Sequence, residues 1–524
     1  MWCATISCRP EAVPSRRLSL ALVCVAGAAV YLPTAQSRFV QDDRAIIAAN
    51  PRAHSVSQAL RAFDEPYWPT PSGGEYYRPL TILSYAVDWT LSGGRAGWLH
   101  LMNALWHGLV SVLVVLVLER WLSPAAAAAG GLIFALHPVH VEAVAGLVGR
   151  AEVLAAAGML GAVLCARRGW WAAAVACAAA AMLSKEHGVA TGVLIVLDRW
   201  LRPTDEPRYP AGLYVALGGV TAAFLAAWYL IGQRATSDVA PVFLGAGTGQ
   251  RLVIALPAVL RAAGLLVWPV DLSADYGPQV IPAYSAFSVA ALGGTLIVGA
   301  ALATGWWARR AAPALSFGAW ASAATYLPTS NLAFPSGIVL AERNLYLPVL
   351  LVAALTGLAV QWAQGRWGAA PRGIGIVTAA LAVVLGWRTL SRLPVWRDNR
   401  TFLLTLLTEH PESYRGHWSA AAVLAGLGDT AAARREYARA DSLFQGDPHL
   451  DATHALFLLG LRDTAGARPL VERARQRLPY EPIALRAQVL LLLLRGQRAG
   501  ATALADTART QAPWDASWYD AQVR

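Results

Sequence analysis

The apolar residues of this chain fall into long blocks separated by short polar breaks. The first runs over 18–33. Others follow near 98–118, 124–141, 150–166, 169–184, 187–201, 211–231, 284–305, 312–328, 345–363 and 371–388. A helix of about 17–25 apolar residues crosses a bilayer, and shorter ones cross when neighbours support them. The pattern therefore predicts eleven transmembrane helices. A further stretch, 251–268, is apolar but contains Arg261 and ends in Trp268-Pro269, which predicts an interfacial or re-entrant helix.

From about 411 the pattern changes. Gly426-Leu-Gly-Asp-Thr-Ala-Ala-Ala433 returns as Gly460-Leu-Arg-Asp-Thr-Ala-Gly-Ala467, and again, more degenerately, as Leu494-Arg-Gly-Gln-Arg-Ala-Gly-Ala501, offset by 34 each time. Pro411, Pro448, Pro482 and Pro513 fall near the repeat ends. A 34-residue period with small residues at the turn predicts tetratricopeptide hairpins, stacked into an α-solenoid with a concave binding surface. The fold class is thus all-α, a polytopic membrane domain followed by a solenoid. Its parts are an N-terminal tail and first span (1–34), an outer loop (35–97), the multi-span domain (98–390), a connector (391–410) and the repeats (411–524).

Composition sharpens this picture. The 524 residues are 56% apolar and only 14% charged, where soluble domains carry about 25% charge. The net charge of +11 is almost all arginine, since Lys185 is the only lysine. No basic run is interleaved with aromatics, so nucleic acid is not an expected partner. Cys3, Cys8, Cys24, Cys165 and Cys177 lie in the tail or inside spans, which predicts neither a disulfide nor a cysteine metal site. Arg16-Arg17 precede the first span, and no small-x-small cleavage site follows it, so the span reads as an uncleaved anchor. The positive-inside rule puts the N-terminus in the cytoplasm and 35–97 outside. Eleven crossings then put the tail outside as well.

Charged motifs gather on that outer face. Asp42-Asp43 follow the first span. Arg78 closes the first loop in Tyr76-Tyr77-Arg78-Pro79. His137-Pro-Val-His140-Val-Glu142 and Arg150-Ala-Glu152 lie between two spans, and Ser184-Lys185-Glu186-His187 between two more. Asp275-Tyr276 and Glu342-Arg343 come later. Each alone is open to a plain structural reading: a solvated Asp-Asp loop, ion pairs at Arg150/Glu152 and Glu342/Arg343, an interface anchor at Lys185-Glu186. The HPVHVE segment has no zincin spacing, so no metal site is predicted, although a divalent ion stays conceivable chemically. Together on one face, such groups mark a substrate path, with cations able to grip a phosphate.

The order FVQDDRAIIAANP, YYRPLTILSY, HLMNALWHGLVSVLV, FALHPVHVEAVAGLVGRAE, MLSKEHGV, LSADY, LPTSNLAFPSGIVLAERNLYLP and VWRDNRTFL, followed by the 34-residue repeats, resembles the transmembrane and tetratricopeptide-repeat-containing O-mannosyltransferases, members of the GT-C glycosyltransferases. The resemblance covers about 30–515. It implies a GT-C membrane fold and transfer of a hexose, mannose by family, from a polyprenyl-phosphate-linked donor to a hydroxyl of a polypeptide held by the repeats. It implies a catalytic base at Asp42, with Asp43 beside it. Arg78, Arg150, Lys185 and Arg343 become the candidates for donor phosphate. His140, Glu142, Glu152, Glu186, Asp275, Tyr276 and Glu342 are supporting residues. The alanine- and arginine-rich composition places such a protein in the cytoplasmic membrane of a prokaryote, with its site and repeats on the outer face and lipids around it. Other readings are a glycan or lipid acceptor, a transporter or flippase, and a non-catalytic scaffold. The two halves of the chain show no similarity of the kind transporters often carry.

Overall fold

Each apolar block folds into helix, the arrangement that leaves no backbone group unsatisfied in lipid. The computed structural model describes residues 15–69, 76–202, 206, 208–232, 239–283, 286–367, 372–511 and 516–523, and no strand occurs among the described residues. Cys3, Cys8, Pro71, Pro513 and the first residues of the 284–305 and 371–388 blocks lie outside them.

The membrane part comprises α1 (Arg16–Ala29), α2 (Pro79–Ser92), α3 (Ala96–Leu118), α4 (Pro124–Leu136), α5 (Arg150–Arg167), α6 (Trp171–Ser184) and α7 (Thr191–Trp200). It continues with α8 (Ala211–Gly232), α9 (Thr248–Val267), α10 (Val289–Ala311), α11 (Pro313–Tyr326), α12 (Leu350–Trp367) and α13 (Arg372–Arg392). Close helix contacts rest on small residues, as is usual in lipid. A Cβ on Gly130 of α4 would meet the Ala353 carbonyl oxygen of α12 at 2.4 Å, and one on Gly158 of α5 would meet that of Cys177 in α6 at 2.7 Å.

Among the described residues, eight segments are long and apolar enough to cross a bilayer, or nine if Pro124–Leu136 and Pro138–Ala145, bent by 47°, count as one. The expected eleven are not reached by length. Helices α6, α7 and α11 have 14, 10 and 14 residues, shorter than their blocks. Turns take the block ends: Gly169 adopts a left-handed φ of 74°, and Pro313 starts α11 late. The short helices still link the two ends of the bundle. Lys185, after α6, bonds Asn344 at one end, and Trp200, closing α7, stacks on Trp320 at the other.

Helix α9, expected to be interfacial or re-entrant, is a continuous helix of 20 residues and one of the eight by length. Its two ends nonetheless meet groups from the same end of the bundle. Arg251 donates to the Leu332 carbonyl at 3.2 Å, and the Leu266 carbonyl lies 3.0 Å from His137 Nε2.

The first loop and the connector to the tail meet at that same end. Arg38 N–H donates to the Arg397 carbonyl at 2.8 Å, and Gln41 N–H to Asn399 Oδ1 at 2.7 Å. Beyond the helix Asn399–Glu409, three hairpins follow: Tyr414–Gly426 with Thr430–Leu443, Pro448–Gly460 with Thr464–Arg477, and Pro482–Leu494 with Arg498–Gln511. Corresponding helices begin 34 residues apart. Asp429 and Asp463 cap the second helix of their hairpins through the main-chain N–H groups of Ala432 and Gly466. The third copy has Gln497 at that place, where the sequence repeat degenerates.

Candidate active site

The site is built where helices give way to short turns. The first span ends in a 3-10 turn, Leu32–Gln36, opened by Pro33. Gln41 then takes a left-handed φ of 50°, rare for a side-chain-bearing residue. Asp42 and Asp43 follow, and a π turn covers Arg44–Ala48, a conformation often found at functional sites.

The two carboxylates part ways here. Asp43 is buried: Oδ2 accepts the Val40 N–H at 3.0 Å and Oδ1 the Val148 N–H at 2.9 Å, tying the loop to the turn before α5. Burial outweighs these main-chain donors, and with Asp42 beside it the carboxyl is pushed up to about 7. Asp42 is half-buried and lies within electrostatic reach of Arg343 and of the Tyr67 hydroxyl.

Three cations converge near it. Arg78 precedes Pro79, which starts α2. Its guanidinium forks onto Glu186 at 2.9–3.0 Å and lies over the rings of Tyr76 and Tyr67 at 4.5 and 5.0 Å. Tyr76 is again left-handed, with φ 63°. Lys185 sits in extended backbone between α6 and the turn Glu186–Ala190. Its ammonium pairs with Glu152 and donates to Asn344 Oδ1 at 3.3 Å, and His187 lies 3.5 Å from the same carboxylate. Burial, reinforced by Arg78 and Arg343, works against the Lys185 charge, and the Glu152 carboxylate beside it opposes that loss. Arg343 lies on the turn Glu342–Leu345. Its side chain donates to Glu142 Oε1 at 2.8 Å and its backbone N–H to Glu142 Oε2 at 2.9 Å. The structure thus brings together Asp42, Asp43, Arg78, Lys185, Arg343, Glu142, Glu152 and Glu186.

Other candidates lie elsewhere. Arg150 is fully buried and its donors are spent on Asn103 (2.6 Å), Asp88 (2.5 Å) and the Leu99 carbonyl (2.9 Å), above the Tyr85 ring. It braces α2, α3 and α5 behind the site. His140 is buried as well, its Nε2 3.0 Å from the Tyr346 carbonyl and its ring against Phe134. Glu342, Tyr276 and Asp275 form a chain toward the repeats. Tyr276 donates to Glu342 at 2.8 Å, and Asp275 accepts from Ser413 at 3.1 Å and faces Arg415 at 3.5 Å. Among the described residues no three His, Cys, Asp or Glu side chains are arranged to hold a metal.

Tyr67 lies outside the sequence motifs, and Tyr76, His187 and Asn344 lie inside them without an assigned role. For His187 and Asn344 the signal is their place in SKEHG and ERNL, beside Lys185 and Arg343. Asp88 is a lone acid inside an apolar helix, which in a membrane protein is itself a signal.

No family model matches the chain. Protein O-mannosyl-transferase Tmtc2 of Drosophila melanogaster is 40% identical over 138 residues, covering 25% of this chain and 15% of that protein. Human protein O-mannosyl-transferase TMTC4 is 27% identical over 497 residues, covering 80% of this chain and 64% of that one. The chain spans about half the length of the curated relatives it matches. Among solved structures, the crystal structure of ArnT from Cupriavidus metallidurans bound to undecaprenyl phosphate shares 15% identity over 94% of this chain and 79% of that one, with a TM-score of 0.36, a likeness too weak to carry an argument. Over most of its length this chain is similar to the transmembrane and tetratricopeptide-repeat-containing protein O-mannosyl-transferases, the family its motifs resemble.

Proposed function

We propose that this chain is a membrane glycosyltransferase that moves a hexose, mannose by the names of its relatives, from a polyprenyl-phosphate carrier to a hydroxyl of a polypeptide. The donor class follows from the family resemblance. The observation that carries the reading is the meeting of a half-buried carboxylate with three cations from distant parts of the chain.

Asp42 takes the proton of the acceptor hydroxyl as its oxygen attacks the anomeric carbon. The new carbon–oxygen bond forms as the bond to the carrier phosphate breaks, and the phosphate leaves with the electron pair. Arg78, Lys185 and Arg343 stabilise that leaving charge. Glu186 engages Nε and Nη2 of Arg78 and Glu142 engages Nη1 of Arg343, which leaves the remaining edge of each fork to face a phosphate. Glu186, Glu152 and Glu142 hold the cations in place. Asp43 positions the loop rather than reacting, and Arg150 braces the helices behind it.

In this reading the site end faces away from the cytoplasm in a prokaryotic cytoplasmic membrane. The hairpins are tetratricopeptide repeats that hold the acceptor, linked to the site through Asp275, Tyr276 and Glu342. The test is incubation of the purified full chain with polyprenyl-phosphate-mannose and a Ser/Thr-containing polypeptide, followed by mass spectrometry. Gain of one hexose on a hydroxyl side chain is expected. Hexose appearing only on added glycan or lipid would replace the polypeptide acceptor, and no transfer from any lipid-linked sugar would overturn the enzyme reading.

A further inference from the structure

A second cationic feature takes no part in that chemistry. Between the first loop and the connector lies an open cavity of about 490 Å³, lined by Arg38, Phe39, Arg44, Asp398, Asn399 and Arg400. Its walls are fastened by the Arg38–Arg397 and Gln41–Asn399 hydrogen bonds, at 2.8 and 2.7 Å. One carboxylate lines it as well, Asp398, whose Oδ1 caps the helix Asn399–Glu409 by accepting the Thr401 N–H at 2.8 Å. Arg38, Arg44 and Arg400 are exposed, and no carboxylate pairs with them among the described residues.

The place of these arginines names the ligand. Arg38 comes just after the candidate span Arg16–Gln36, and Arg400 just after Gly373–Trp396. Both therefore sit at the depth of lipid headgroups. Below them, α1 and α13 each pack on α4 and meet one another chiefly through the 3-10 turns Leu32–Gln36 and Leu393–Trp396. Their outer faces carry exposed apolar side chains, Val25 on α1 and Val383 and Trp387 on α13. Exposed apolar side chains of α1 and α13 thus lie below three guanidinium groups, whose planar forks match a phosphodiester. If this end faces outward, the arginines also run against the positive-inside rule, so setting orientation does not explain them.

We propose that this groove binds the anionic headgroup of a membrane phospholipid, with its acyl chains against the exposed apolar faces of α1 and α13, at a site separate from Arg78, Lys185 and Arg343. The lipid would bridge the loop that carries Asp42 to the connector that carries the repeats.

The test releases the full chain from nanodiscs of mixed phosphatidylglycerol and phosphatidylcholine and counts retained lipids by native mass spectrometry. Wild type should retain phosphatidylglycerol in preference. The triple variant Arg38→Gln/Arg44→Gln/Arg400→Gln should lose that preference about tenfold or more, from the contribution of each arginine near an anionic lipid surface. Arg309→Gln/Arg310→Gln, at the other end of the bundle, should keep it. Equal retention by wild type and the triple variant overturns the proposal. So does displacement of the retained lipid by inorganic phosphate or by an acidic peptide, either of which would make the groove a site for that anion instead. Should the triple variant not fold, photoactivatable phosphatidylglycerol on wild type decides. Crosslinks at 38–48 or 398–400 support the site, and crosslinks confined to other regions remove it. Lipid retention is read without sugar transfer, so the result stands apart from the assigned reaction.

Discussion

The two ends of the bundle both hold buried ion pairs, yet they are built differently. At the end away from the loop, Asp198 is fully buried between regular helix ends. It accepts from Arg167 at 2.6 and 2.8 Å, from Arg202 at 3.1 and 3.2 Å and from the Tyr209 hydroxyl at 2.6 Å. Arg120 and Glu206 close the same network. Two cations serve one acid there, and the geometry staples helices together. At the site end, pairs run one to one between segments far apart in the chain: Arg78 with Glu186, Lys185 with Glu152, Arg343 with Glu142. The backbone there is 3-10, π or left-handed, at Gln41 and Tyr76. Unfavourable backbone retained beside charged groups is what functional sites store. One end staples regular helices, and the other pairs charges across irregular turns.

That contrast can be broken by substitution. The largest structural effect belongs to the stapled end. Asp198→Asn should cost about 3–5 kcal/mol, because Arg167 would stay buried without its acid and Arg202 would keep only Glu206. Thermal unfolding in detergent checks this, and an unchanged melting temperature would make the two ends alike. Arg343→Gln should cost less stability than Asp198→Asn, because the backbone N–H of residue 343 still meets Glu142, and should lower kcat about 100- to 1,000-fold, as removal of one donor to a developing charge does. Steady-state kinetics with a lipid-linked sugar decides it.

Asp43 gives a smaller, pH-dependent effect. Its carboxyl moves from an ordinary 3.8 to about 7 on folding. Folding therefore favours the protonated form, and the stabilisation is fully present below about pH 4 and lost as pH rises through 7. The wild-type melting temperature should fall between pH 5 and 8 relative to Asp43→Asn, whose own profile lacks this slope; parallel profiles would remove the assignment. The smallest effect is at the hinge to the repeats. Asp275→Asn loosens a partly exposed pair worth about 0.2–1 kcal/mol. It should raise KM for a long polypeptide by at most about fivefold and leave KM for a short peptide alone. Equal changes for both would detach the repeats from acceptor binding.

Much of this arrangement was legible in the chain. A carboxylate pair after the first span, a lone lysine in Ser184-Lys185-Glu186 and an arginine beside Glu342 are costly near lipid, and cost marks them. Their meeting follows from helices that alternate between two ends. What the sequence hid depends on long-range packing. Asp42 and Asp43 look equivalent, and it is burial together with the Val148 N–H, 105 positions away, that sets Asp43 apart as the anchored one. Arg150 looked like a phosphate ligand because Asn103 and Asp88, its partners, come from other helices. The length of α6, α7 and α11 was overestimated because hydropathy does not register turns such as that at Gly169. For 251–268, composition suggested a segment that does not cross; its helix is long enough to cross, although both its ends meet one end of the bundle.

The central claim is that Asp42, at the end where the loop and the connector meet, removes the acceptor proton. Its most direct test compares the rate of hexose transfer from a polyprenyl-phosphate donor by wild type and by Asp42→Asn, each shown to be folded by its melting temperature. The account predicts an unchanged melting temperature and a rate lower by about 100- to 10,000-fold, the range of general-base catalysis. A folded Asp42→Asn protein that transfers sugar at the wild-type rate would contradict it.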